Sequence, residues 1–313
     1  MKYSGIGGQA VIEGIMMMKG EDYAVAVRRP DKEIEVKKDT YQSITKKAKI
    51  LQLPFVRGVF RFADSMIIGM RSLSYSASFF EDDEDAEPGK FEQFLDRVFG
   101  EKLESAIMAA VLVISFILAI GIFMLLPLGI ANLFKGVITS DHLMAVLEGV
   151  IRIAIFIIYI KLVSRMEDIR RTFMYHGAEH KTIFCYEAGL PLTVENVRIQ
   201  PRHHPRCGTS FLFVVIFVSI LVSSVVFGIW PITNVWLRTL AHLILLPLVV
   251  GITYEFNRWV GRHVQDSRLA KILTAPGMWM QNFTTNEPDD SMIECAIRSL
   301  ELVLPSEKGK DEW

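Results

Sequence analysis

Residues 209–229 read TSFLFVVIFVSILVSSVVFGI, an apolar stretch with no charged side chain. About 20 such residues in a helix cover the roughly 30 Å hydrocarbon core of a bilayer, so this stretch reads as a membrane span. Three further blocks share its character, roughly at 105–130, 143–164 and 236–254, with only isolated charges. Across 313 residues the chain is 51% apolar with mean hydropathy +0.31, and the excess is concentrated in these four blocks. The sequence therefore predicts a mainly α integral membrane protein with four transmembrane helices.

Short flanking segments set the expected orientation. The loop after the first block carries Lys135 and the loop after the third carries only Arg238 at its edge. Segment 165–208, in contrast, holds Arg165, Arg170, Arg171, Lys181, Arg198, Arg202 and Arg206, and Arg258, Arg262, Arg268 and Lys271 follow the fourth block. By the positive-inside rule both termini and 165–208 lie in the cytoplasm of a multi-pass protein of the inner (plasma) membrane. The expected divisions are a small β unit at 1–40, an amphipathic helix and acidic linker at 41–104, a membrane region at 105–254 with cytosolic insertion 165–208, and a C-terminal helical segment at 255–313. Segments 1–104, 165–208 and 255–313 would form a cytosolic α+β cap.

The N-terminus lacks a basic stretch followed by an apolar one, so no cleavable signal peptide is expected. Cys185, Cys207 and Cys295 are odd in number and read as reduced thiols. A net charge of −1 and a pI near 6.7 argue against a nucleic-acid partner. Gly5, Gly7, Gly8 and Gly14 lack the Lys-Ser or Lys-Thr of a phosphate loop and read as turns around short strands, expected at Gln9–Ile12, Tyr23–Arg28 and Glu33–Lys37. In 55–78 the residues Arg57, Arg61, Asp64 and Arg71 share one helix face, and Val59, Phe62, Ala63, Met66, Met70 and Leu73 share the other. Such a helix lies in the membrane interface or packs on the bundle. Residues 81–89 read as a solvated linker, Leu273–Gly277 as a helix break, and 289–304 as a final amphipathic helix.

The residues with chemistry gather after the second block, in Tyr175-His176-Gly177-Ala178-Glu179-His180-Lys181. In a helix His176, Glu179 and His180 stand at i, i+3 and i+4 on one face, the H-x-x-E-H spacing in which two imidazoles hold zinc and the carboxylate serves as base. They lie on an apolar stripe with Ile169, Phe173 and Phe184, where a metal site and a metal-free hydrogen-bonded cluster are both accommodated. Gly177 within the motif costs helix propensity. His203-His204-Pro205-Arg206-Cys207-Gly208 follows, so His204 and Cys207 are further candidate ligands, and Cys207 also reads as a small core residue at a turn. Glu255, at the end of the fourth block, is the alternative third ligand, with Glu187 and Glu195 nearer in sequence. A straight helix would carry His176, twelve positions beyond Ser164, about 18 Å past the membrane, out of reach of Glu255 unless the helix bends.

Gly7–Met17, Ala24–Arg28, Tyr175–Thr182, His204–Thr209, Tyr254-Glu255 and Thr284–Pro288, in this order, resemble a YqhQ-like bacterial family of unknown function over nearly the whole chain. The resemblance implies a predicted metal-dependent enzyme of the membrane, with motif positions at His176, Glu179, His180, His204, Cys207 and Glu255. The resulting expectation is a zinc-dependent hydrolase at the cytosolic membrane face, with Glu179 as the catalytic base. The alternative is a non-enzymatic membrane scaffold or assembly factor with a membrane-protein partner, and membrane lipids are expected contacts in either case. A transporter fits less well, since neither an internal repeat nor a midplane carboxylate pair is evident and Glu148 and Arg152 lie near one end of their span.

Overall fold

The computed structural model describes residues 4–80, 103–232 and 234–304. The acidic run 81–89 and the charged tail after 304 lie outside the described residues. Two compact units are present, one drawn from Met1–Phe80, Tyr159–Val218 and Leu246–Trp313, the other from Glu81–Ile158 and Ser219–Leu245.

The first unit is built on an antiparallel sheet of order β1-β2-β3-β4, comprising Ile6–Val11, Gly14–Lys19, Asp22–Arg28 and Ile34–Thr40. Strand β2 is missing from the sequence expectation because Gly14-Ile15-Met16-Met17-Met18-Lys19 does not alternate. Both of its faces are covered. Ile15 and Met17, with Ala24 and Ala26 of β3, pack on Tyr175, Ala178, Met292, Ile293, Ala296 and Leu300. Met16, Val25 and Val27 face the other way, against Tyr41 and Ile68. The first layer comes from helices α5 (Glu167–Glu187) and α10 (Asp290–Val303), and the second from α1 (Val56–Ala77).

Helix α1 buries Asp64, Ser72 and Ser76 beside Ile68, while Arg61 and Arg71 stay exposed. Asp64 is buried and accepts hydrogen bonds from the Tyr41 hydroxyl at 2.9 Å, Ser43 Oγ at 2.5 Å and Ile44 N at 3.0 Å. Gly69 lies against Gln9, where an added Cβ would stand 2.5 Å from Oε1. The apolar residues Met66, Met70 and Leu73 stay exposed.

Among the described residues, four helices are long and apolar enough to cross a membrane: Ala110–Asn132, Asp141–Val163, Gly208–Ile229 and Val235–His263. The first comprises α2 (Leu103–Ile120), a π-helical turn at Gly121–Leu125 and α3 (Leu126–Asn132). The others are α4 (Asp141–Val163), α7 (Gly208–Ile229) and α8 (Val235–His263), and the short α6 (Val194–Arg198) lies between α5 and α7. The break expected at Leu273–Gly277 is absent, because α9 (Arg268–Thr284) runs through Pro276. An interior proline costs about 3 kcal/mol, and burial of Gly277, Met280 and Gln281 on that helix opposes it.

Within the second unit, charged groups of the apolar helices satisfy one another. Arg152 Nη2 donates to Glu148 Oε1 at 2.7 Å, and Arg238 Nη2 donates to Glu148 Oε2 at 2.8 Å. His242 lies beside them, its Nε2 3.5 Å from Arg152 Nη2.

Candidate functional site

The helix leaving the second span does not continue straight. Helix α4 ends at Val163, Met166 is extended at φ −67° and ψ 136°, and α5 starts afresh at Glu167. The 18 Å separation expected of a straight helix therefore does not apply. His176 meets Cys207, the residue just before the apolar helix α7, with Nε2 3.1 Å from Sγ. The His176 and His180 ring centroids are 4.4 Å apart. One ligand atom each from His176, His180 and Cys207 lies within 4.8 Å of the others.

Hydrogen bonds to the backbone orient both imidazoles. His176 Nδ1 is 2.8 Å from the Thr284 carbonyl, and His180 Nδ1 is 2.6 Å from the Arg202 carbonyl. A carbonyl only accepts, so Nδ1 carries the proton in each ring and Nε2 is presented to the cluster. Among the described residues, buried His180 Nε2 is partnered only by a loose contact with the Cys207 sulfur. The Cys207 sulfur receives the Thr209 backbone N–H at 3.4 Å and lies 3.1 Å from Thr209 Oγ1.

Glu179 projects from the same face of α5 onto β1. An added Cβ on Gly8 would stand 2.8 Å from the Glu179 Cδ, so the carboxyl needs a glycine there. The Gly8 backbone N–H donates to this carboxylate, while Oε2 is buried without a partner.

Electrostatics within the cluster are strongly coupled. Burial raises the Cys207 thiol, but the adjacent His176 and His180 outweigh it and hold the thiol well below its usual range. Burial lowers His176, and the Cys207 thiolate, its hydrogen bond and Glu179 overcome that and raise the ring to about 9. Glu179 is pushed up by burial, against the opposing pull of the two histidines. A thiolate paired with the His176 imidazolium, the oriented His180 ring and a carboxyl thus share one interior space.

The other expected ligands are placed elsewhere. His204 is buried with its Nε2 3.7 Å from Glu187 Oε2, and its Nδ1 accepts from Arg206 N at 3.3 Å. Its ring centroid is 5.6 Å from that of His180. Glu187 accepts from Ser4 N at 2.7 Å and Ser4 Oγ at 2.8 Å and pairs with Arg206. Glu195 is exposed on α6. Glu255 is bound by Arg57, whose Nε and Nη2 donate at 2.6 and 2.5 Å. Neither His204 nor Glu255 is brought into the group formed by His176, His180 and Cys207.

Several supporting residues escape a reading by spacing. Fully buried Gln281 accepts from His204 N at 2.7 Å and donates to the His204 carbonyl at 2.8 Å, fixing the turn before Cys207. Asn286 N donates to the Phe173 carbonyl at 2.9 Å, and a Cβ on Gly177 would collide with the Asn286 carbonyl. The glycine that weakens the helix is what lets the 284–288 segment cross α5. Its signal in the sequence is the Thr284–Pro288 block.

The sequence profile of a family described as "Protein of unknown function (DUF1385)" matches residues 53–306. The chain belongs to the DUF1385 family. A relative described as "Uncharacterized protein YqhQ" of Bacillus subtilis (strain 168) is 34% identical over 298 residues, covering 95% of this chain and 92% of the relative. No solved structure matches the chain. In this DUF1385 protein, His176, Glu179, His180 and Cys207 all fall within the matched 53–306, and Gly8, which carries the strand against Glu179, lies before it.

Proposed function

We propose that the protein is a metal-dependent membrane hydrolase whose ion is held by His176, His180 and Cys207. The observation that carries this reading is the convergence of one ring nitrogen from each histidine and one sulfur within 4.8 Å, with both Nδ1 protons tied to carbonyls. Bonds of about 2.0–2.3 Å to one ion place neighbouring donors about 3–4 Å apart, a spacing close to this one. Carbonyl-bound Nδ1–H groups are the usual outer support of histidine ligands. Imidazole and thiolate together favour zinc among common divalent ions.

An ion held by these three residues would supply Lewis acidity at this site. Glu179, whose buried Oε2 has no hydrogen-bond partner among the described residues and whose carboxyl is raised by burial, would take and return a proton there. His204 and Glu187 hold the turn that presents Cys207, and Glu255 anchors α1. The arginine-rich flanks support the cytoplasmic side of the plasma membrane for this site.

The test is metal analysis of the detergent-purified protein. About one zinc per chain is expected, lost on His180→Ala and Cys207→Ala and kept on Glu179→Gln. A panel of amide, ester and phosphodiester reporters should be turned over by the unsubstituted protein and not by Glu179→Gln. Absence of stoichiometric metal overturns the reading.

A scaffold with a purely structural ion is the second reading, favoured by burial, since His180 is 1% and Cys207 7% exposed. Structural zinc sites take four protein ligands, and three converge among the described residues. Bound metal with no turnover of any reporter would favour the scaffold.

A further inference from the structure

We infer that α1 is an interfacial membrane helix, lying along the bilayer surface with Met66, Ile67, Met70 and Leu73 among the lipid chains. The inference does not depend on the metal reading. It begins with a helix that faces the wrong way for a soluble domain. Its buried face is Gly58, Asp64, Ile68, Gly69, Ser72 and Ser76, while Met66, Ile67, Met70 and Leu73 are 51, 36, 57 and 38% exposed. These four lie at helical spacing, so they form one apolar stripe directed away from the sheet. At 22 residues α1 is about 33 Å long, but buried Asp64 and three exposed or half-buried arginines rule out a span.

The position of α1 within the first unit identifies what covers the stripe. Its N-terminal end is fastened to the end of the apolar helix α8 by the Arg57–Glu255 pair. Gly251 lies against the Phe55 backbone, and an added Cβ on Gly58 would stand 2.7 Å from Tyr254 Cβ. Phe62 stacks on Phe211, the fourth residue of α7, at 5.8 Å. Residues 251–255 come late in the fourth candidate span and Phe211 early in the third. Exposed Trp259 follows one turn after Glu255, and exposed tryptophans mark the level where chains meet headgroups. The apolar exposure also continues without a break in chemistry. Leu246 and Leu248 of α8 are exposed, as are Leu53, Phe55 and Val56 leading into α1. A surface continuous with the lipid-facing side of a span, at the depth of its end, is completed by lipid.

Spin labels test this in the full-length protein reconstituted into vesicles of phosphatidylcholine and phosphatidylglycerol. Met66→Cys, Met70→Cys and Leu73→Cys report on the stripe, and Arg61→Cys and Ser65→Cys on exposed positions off it. The unsubstituted protein, whose three cysteines are buried, serves as the labelling blank. The stripe labels should collide more with oxygen than with a water-soluble nickel chelate, and the order should reverse at positions 61 and 65. Preference for the chelate at 66, 70 and 73 overturns the inference, since the stripe then faces water. Shielding from both reagents also overturns it, because a second copy or another protein then covers the stripe. Each variant's thermal unfolding is recorded alongside, and only variants that unfold like the unsubstituted protein enter the comparison; with three stripe positions available, loss of one leaves two.

Discussion

Glu187 shows how much a single buried carboxylate can organise. Burial pushes its pKa up, but hydrogen bonds from His204 and Ser4 and the Arg206 charge more than offset this and hold it below the ordinary 4.5. A depressed carboxylate stabilises the fold above its unfolded pKa, and that contribution disappears as pH falls through the lower folded value. Acid unfolding monitored by tryptophan fluorescence should therefore steepen below about pH 4.5. Glu187→Gln should cost about 3 kcal/mol at neutral pH, because it leaves Arg206 without a carboxylate, and should flatten the acid limb. At this scale the sequence was only partly readable. The i, i+3, i+4 spacing puts His176, Glu179 and His180 on one face because that follows from helix geometry alone. That Cys207 and not Glu255 stands beside them depends on the break at 164–166, which no local pattern announces.

Among the elements, α5 depends on what crosses it. Gly177→Ala would gain about 1 kcal/mol of helix propensity, yet its methyl would collide with the Asn286 carbonyl. Overpacking of this kind typically costs about 1–3 kcal/mol, so a net loss is expected. Thermal unfolding should shift downward, and Cys207 should react faster with a maleimide as the 284–288 segment lifts. Helices α1 and α10 and strands β3 and β4 were visible because each shows a period, either 3.6 or 2. Strand β2 was hidden because its Ile15-Met16-Met17-Met18 run does not alternate, whereas β3, also covered on both faces, alternates Ala24 and Ala26 with Val25 and Val27; the continuation of α9 through Pro276 was hidden because tertiary packing outweighs a local breaker.

Over the whole molecule, the four long apolar helices are the most legible feature, since bilayer thickness imposes their length and composition directly. The ion-pair network in the second unit was less so, because pairing between Glu148 and Arg238 is a matter of helix packing and not of spacing. Glu148→Gln would leave Arg152 and Arg238 sharing no carboxylate. A loss of about 3–5 kcal/mol is expected, measured as a drop in the thermal midpoint of detergent-purified protein. The sheet carries a different consequence, one for biosynthesis. Ser299 of α10 accepts from Met17 N at 3.1 Å and donates to the Ala24 carbonyl at 2.9 Å, so the last helix closes over the first strands. At about 5–20 residues per second, β2 leaves the ribosome tens of seconds before its cover is made. The nascent N-terminus must wait with Met17 uncovered while all four apolar helices are synthesised, and the His176–Cys207 cluster closes only once the 284–288 segment arrives. The carbonyl that orients His176 is thus translated about a hundred residues after the ring it holds.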